Sequence, residues 1–231
     1  MSGATTQTSL EKNALRARNW KALAIRLSVT AAALMIWFWT QSLIGARSQP
    51  SAGIADSVHE ATSSLNGYLH ARPAAANALL IVSSAIIDLL GIFLLCLWIF
   101  GASPRPFVAL VIVLGLRQIM QALVALPAPS NAIWHYPGFP SLLVTYGVSN
   151  DYFFSGHTAI AVLGASEIAR LRRGWLTGLG FLIVIFEIAT VLVLRAHYTV
   201  DVFTGVVTGL YATHLASRLS DFSSSRVSAV F

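Results

Sequence analysis

Six stretches of mostly apolar residues, each 15 to 29 long, divide this chain and leave little of it to face water. They run over about Ala22–Ala46, Pro73–Gly101, Phe107–Leu126, His157–Leu171, Trp175–Leu194 and Tyr198–Ser217. A helix needs roughly 20 such residues to cross a bilayer, and within lipid only helices and closed barrels satisfy their own backbone. The runs show no alternation of period two, which leaves helices. The fourth run is short and has to extend into its flanks. Only 10% of the 231 residues are charged, against about 25% in soluble domains, and mean hydropathy is +0.71. These figures exclude a soluble enzyme and a disordered chain. The single cysteine, Cys96, excludes an intramolecular disulfide. The expectation is an all-α, six-span bundle over residues 22–217, between a basic segment 1–21 and a tail 218–231. Within the first segment, Leu10–Trp20 mixes apolar and basic residues and reads equally as a surface helix or a disordered tail.

The net charge of +6 is distributed unevenly. With six spans both termini share one side, which collects Lys12, Arg16, Arg18, Lys21, Arg26, Arg105, Arg170, Arg172, Arg173, Arg218 and Arg226. The other side has Arg47, Arg72 and Arg195. The positive-inside rule then places the termini in the cytoplasm and residues 47–72 and 127–155 outside. Basic residues used in this way imply no nucleic-acid partner. Gly205 and Gly209 have GxxxG spacing, which more often reflects ordinary helix contact than a dimer face, and a homo-oligomer is left open.

Two polar segments stand at the outward starts of spans four and six: Asp151 to Thr158 (Asp-Tyr-Phe-Phe-Ser-Gly-His-Thr) and Arg195 to Val202 (Arg-Ala-His-Tyr-Thr-Val-Asp-Val). His157 and His197 therefore lie at one membrane level. His197 and Asp201 are four apart, a spacing that stacks them on one helix face. A carboxylate there can hold the imidazole in one tautomer and leave Nε2 nucleophilic. Ser155 suits an N-cap, and Gly156 allows close backbone approach. Two helix starts, two histidines, one carboxylate and Arg195 match a phosphate group. Zinc is a weaker reading of the same residues: Asp201 is better used on its own histidine, and helix N-termini repel cations. Neither metal nor cofactor is expected.

These motifs resemble those of the type-2 phosphatidic acid phosphatase superfamily, and more closely its sphingomyelin synthase-like branch. The matching patterns are Asp-Tyr-x-aromatic-Ser-Gly-His-Thr, His-Tyr-Thr-x-Asp-Val, and an Arg-containing span, here Leu116-Arg117-Gln118, that ends in Leu126-Pro-Ala-Pro129. The chain departs where the phosphatases' Lys is replaced by Trp98 before Arg105-Pro106, where their Arg is replaced by Val191, and where Ser149-Asn150 stands for the synthases' Cys-Gly. The resemblance implies that His197 attacks phosphorus, Asp201 orients it, and His157 protonates the leaving oxygen and then deprotonates the acceptor. It implies contacts to substrate from Asp151, Tyr152, Ser155, Gly156, Arg195 and Arg117. The partners implied are membrane lipids: a phospholipid donor, entering laterally, and a lipid hydroxyl acceptor such as ceramide or diacylglycerol. Water as acceptor would instead make a lipid phosphate phosphatase or phospholipase C-like hydrolase, and a transporter or scaffold is the non-enzymatic alternative. Trp134, Tyr136, Tyr146 and Tyr152 lie near the outward loop, where they can hold a choline-like cation.

Three charges remain inside spans. Arg117 lies about 14 Å, Glu187 about 11 Å and Asp88 about 22 Å from the outward ends. The matched depth of the first two predicts an Arg117–Glu187 pair.

Overall fold

The computed structural model describes residues 3–46, 53–146 and 152–228, without the side chains of 3–19, 44 and 221–228. Asp151 and Ser149–Asn150 lie outside the described residues. Those described form eight helices and no strand. They are α1 (Gly3–Gly45), α2 (Ser57–Ala61), α3 (Ser63–His70), α4 (Pro73–Phe100), α5 (Arg105–Leu123), α6 (Gly156–Ala169), α7 (Gly174–Val193) and α8 (Thr199–Ser228).

All six apolar stretches are helical. Four helical segments are long and apolar enough to cross a membrane: Trp20–Leu43 within α1, and α4, α5 and α7. At about 21 Å, α6 falls short of the hydrocarbon thickness. Backbone preferences fix several boundaries. Pro73 opens α4, where its missing N–H costs nothing. In α1 the helix runs unbroken through Leu10–Trp20 into the first apolar stretch, and α8 continues past Ser217 to Ser228. Residues 53–72, expected as plain loop, carry α2 and α3.

The bundle is organised around α6, which packs against α4, α5, α7 and α8. Its residues His157 to Gly164 are all buried, the pattern of a helix enclosed on every side. The helices around it turn large apolar side chains outward, including Trp39 on α1, Leu89 on α4, Phe181 and Leu182 on α7, and Phe203 on α8. Contiguous apolar surface of this kind belongs against lipid.

Small residues bring α8 onto α6. A Cβ on Gly205 would lie 2.7 Å from the Ser155 carbonyl oxygen, and one on Gly209 would lie 2.9 Å from Val162 Cγ1. The GxxxG pair thus serves contact within the chain. Ala212 and Ala216 extend the same seam into the core beside Leu163. This close approach sets the beginnings of α6 and α8 side by side, and the Ser155 N–H donates to the Asp201 carbonyl at 3.1 Å.

Candidate active site

The start of α6 is built as its sequence predicts. Ser155 caps the helix: its Oγ accepts from the Thr158 N–H at 3.3 Å and from Thr158 Oγ1 at 3.0 Å. His157 then falls in the first turn, buried, with the edge of Trp134 5.4 Å away between ring centroids. Among the described residues its Nε2 has no hydrogen-bond partner, whereas buried polar atoms are generally paired.

His197 differs from expectation in one respect. It lies before α8 and not on it, since the helix begins at Thr199. The pair with Asp201 still forms, with Nδ1 to Oδ2 at 3.3 Å. The route is a cap and not a stacked turn. Asp201 reaches back from the third helical position, and Oδ2 also accepts the Tyr198 N–H at 2.9 Å, as the acidic residue of a capping box does. One carboxylate therefore closes the helix start and holds the imidazole, leaving Nε2 as the ring nitrogen without that bond. Asp201 is fully buried and its Oδ1 has no partner among the described residues.

The turn delivering His197 is a Schellman motif at the end of α7. The Ala196 N–H donates to the Val191 carbonyl at 2.9 Å and the Arg195 N–H to Leu192 at 3.1 Å. This places Arg195 in the left-handed region at φ 53°, where glycine is usual. Phe153, just ahead of Ser155, is left-handed too, at φ 85°. Such residues persist only where their surroundings over-determine them. For Arg195 those surroundings are carbonyls: Nη1 donates to Ser130 and Nη2 to His59, both at 2.9 Å. The guanidinium therefore braces the loops beside His197.

The segment around α2, which sequence reasoning passed over, buttresses the same turn. His59 Nε2 lies 2.9 Å from the His197 carbonyl oxygen, and its ring stacks on Tyr198. Asp56 caps α2 through the Val58 and His59 N–H groups. It also accepts from the Thr199 N–H at 2.6 Å and from Thr199 Oγ1 at 2.8 Å. Partial burial alone would raise its pKa, but the Thr199 bonds, with lesser help from His59, hold it below the ordinary carboxylate value. No helix was expected after Asp56, and nothing local linked it to a residue 143 positions on.

The inner charges pair otherwise than depth suggested. Arg117 Nη1 donates to Gln41 Oε1 at 2.5 Å, while Glu187 Oε2 accepts from Ser83 at 2.6 Å. The expected Arg117–Glu187 pair is not formed, because Arg117 faces the start of α6. There its Nε lies 3.3 Å from where a Cβ on Gly156 would be. Gly156 thus gives the guanidinium access to the helix N-terminus. Asp88 accepts from Ser141 Oγ and from the N–H groups of Leu142 and Leu143, at 2.8–2.9 Å. It draws a loop deep into the bundle, where non-helical backbone requires such partners.

A narrow cavity of about 40 Å³ collects these parts, with His157, His197, Arg117, Gly156, Trp134 and Trp37 among its walls. Ser155 lies behind its helix start. Tyr152 stands beside His197, ring centroids 6.2 Å apart, and apart from the Trp134–Tyr146–Tyr136 cluster. Among the described residues, no three His, Cys, Asp or Glu side chains form a metal-binding group.

A helical bundle with an apolar exterior and a buried histidine–carboxylate centre defines a membrane protein with a polar interior cavity. The family model described as AtPDCT1/2 matches residues 55–218, and the chain belongs to that family. Phosphatidylcholine:diacylglycerol cholinephosphotransferase 1 of Arabidopsis thaliana is 26% identical over 188 residues, 81% of this chain and 60% of the relative. Phosphatidylcholine:diacylglycerol cholinephosphotransferase 2 of the same plant is 26% identical over 128 residues, 55% of this chain and 42% of the relative. The chain thus spans less than two thirds of the length of these curated relatives. No solved structure gives a significant match.

Proposed function

We propose that this chain is an integral membrane phosphotransferase that moves phosphocholine from phosphatidylcholine to the free hydroxyl of a diacylglycerol. The observation that carries the reading is the meeting of His157, His197 and Arg117 around one buried cavity, with Asp201 behind His197. The names of the two plant relatives supply the head group and the acceptor. Diacylglycerol thereby takes precedence over ceramide.

In the first half-reaction His197 Nε2 attacks phosphorus and the bond to the diacylglycerol oxygen breaks. Protonated His157 gives that oxygen its proton. The phosphocholine is then held on His197, whose positive charge Asp201 balances. In the second half-reaction His157 takes the proton of the incoming hydroxyl, whose oxygen attacks phosphorus and releases His197. Arg117 and the N–H groups at the start of α6 face the phosphoryl oxygens. Ser155 and Gly156 shape that helix start, and Arg195 and Tyr152 fix the His197 turn. Trp134 and Tyr146 give the choline cation an aromatic wall. The six helical stretches span the membrane with cytoplasmic termini, in keeping with the distribution of Lys and Arg.

The test supplies the purified chain with phosphatidylcholine labelled in the head group and a diacylglycerol of distinguishable acyl composition. Label is expected in a new phosphatidylcholine carrying the acceptor's chains. Release of free phosphocholine without that product would make the protein a hydrolase and overturn the transfer reading.

A further inference from the structure

The reaction cavity is far too small for a whole phospholipid. At about 40 Å³ it has room for a few waters. The glycerol body and acyl chains of any lipid donor must lie elsewhere while its phosphate is at the histidines.

A second concavity, about 280 Å³, lies between α1 and α5. Each helix faces it with one stripe, including Ile36 and Trp37 on α1 and Val111, Leu114 and Gly115 on α5. These stripes follow the three- and four-residue spacing of a single helix face. At one end Gln118 Nε2 donates to Thr40 Oγ1 at 2.8 Å and to the Trp37 carbonyl at 3.3 Å. These bonds use the Gln118 amide N–H groups, Gln118 Oε1 has no partner among the described residues, and apart from Thr40, Gln118 and the Trp37 N–H the wall is apolar.

Three observations tie this groove to the reaction cavity. Trp37 and Leu114 line both, so the two spaces share a wall. Trp37 is 6% exposed and its Nε1–H has no hydrogen-bond partner among the described residues; such a donor suits an ester carbonyl at the junction of polar and apolar space. Gly115 stands in mid-helix, where glycine costs about 1 kcal/mol relative to alanine. A Cβ there would meet nothing within 4 Å, so packing does not require it.

We infer that the α1–α5 groove is an acyl-chain subsite for the phospholipid donor. One fatty chain lies along Gly115 while the head group reaches past Trp37 to Arg117 and the two histidines. This inference rests on the proposed transfer reaction and names where its donor is held.

The test uses Gly115→Phe, which fills the groove without touching the reaction cavity, in the full chain in mixed micelles. Gly178→Phe on α7 is the control, since a Cβ there also meets nothing within 4 Å. With labelled diacylglycerol held constant, Gly115→Phe is expected to raise KM for dioleoyl-phosphatidylcholine by at least about 10-fold, the scale on which an apolar pocket discriminates chain length. Turnover of dihexanoyl-phosphatidylcholine should stay near that of the unaltered chain, and Gly178→Phe should change neither. Equal loss on both donors, no change in the long-chain KM, or dependence on acceptor rather than donor length would each overturn the assignment. A phosphatidylcholine with a diazirine in mid-chain gives a readout independent of transfer. It should label the α1 and α5 stripes in excess over the face of α7, and the excess should vanish in Gly115→Phe. Absence of that excess in the unaltered chain overturns the groove even if head groups are transferred. Failure of the unaltered chain to transfer at all overturns the proposed function and leaves the photolabelling to decide the groove.

Discussion

The two ends of α6 carry buried charge in opposite conditions. At its end Glu167 is 2% exposed, yet both carboxylate oxygens are engaged. Oε1 accepts from Arg105 Nε at 3.1 Å and Oε2 from Arg105 Nη2 at 2.7 Å, with Arg170 Nε 3.5 Å from Oε1. At its start, about 15 Å away along the helix, His157 Nε2 and Asp201 Oδ1 are buried without partners. A bidentate pair with its acceptors filled joins helices. The other cluster has unfilled donors and acceptors, which the proposed function attributes to a group that enters later. Between these two clusters the difference lies in hydrogen-bond completeness, since both are buried.

The largest expected effect breaks the chemical end. His197→Ala should lower turnover by more than about 10⁴-fold and remove any acid-labile phospho-intermediate, because loss of a nucleophile exceeds loss of acid–base assistance. Asp201→Asn should cost about 10²-fold or more in kcat with KM little changed. It keeps the Tyr198 cap acceptor but loses the charge opposite the imidazole. Near-normal kcat in either variant, measured on head-group-labelled phosphatidylcholine, would move the nucleophile elsewhere.

The scaffold end should respond in the other currency. Glu167→Gln removes the carboxylate charge that Arg105 and Arg170 face, and about 1–3 kcal/mol of stability should be lost, Arg105 being partly exposed. Turnover per folded molecule should remain within about 2-fold on the mutational scale above. Thermal unfolding in detergent alongside the transfer assay measures both. A collapse of kcat at unchanged stability would make Glu167 part of the reaction.

The smallest effect concerns Asp56, which braces the chemical end without belonging to it. Its pKa is depressed in the folded protein, so its contribution is fully present above the unfolded value near 3.9 and is lost as pH falls through the lower folded value. Asp56→Asn should lower the unfolding temperature modestly at pH 7 and flatten its fall below about pH 4, so that the two proteins converge in acid. An unchanged acid limb would show that the Thr199 bonds contribute nothing to stability.

Much of this architecture was legible because apolar runs and local spacing are one-dimensional signals. The six helical stretches, the Ser155 cap and the nearness of His197 to Asp201 all depend on residues within a few positions of each other. What was hidden is long-range. Depth along a helix axis cannot say which way a side chain faces, so Arg117 was matched to Glu187 and not to Gln41, 76 residues away. A four-residue spacing suits a helix face and also a residue reaching back over its own helix start, and His197–Asp201 is the second. The short helix α2 carries no long apolar run, so only the contacts that it and its cap make with His197, Arg195 and Thr199 reveal its purpose.

Gly205 sits with its hydrogen where any other residue would press a methyl to within 2.7 Å of the Ser155 carbonyl. Backbone cannot swing aside as a side chain can, so the added carbon would act as a shim between the starts of α6 and α8. His157 rides on one of those starts and His197 on the approach to the other. The separation of the two histidines invoked in the proposed transfer is thus gauged by the absence of a single carbon.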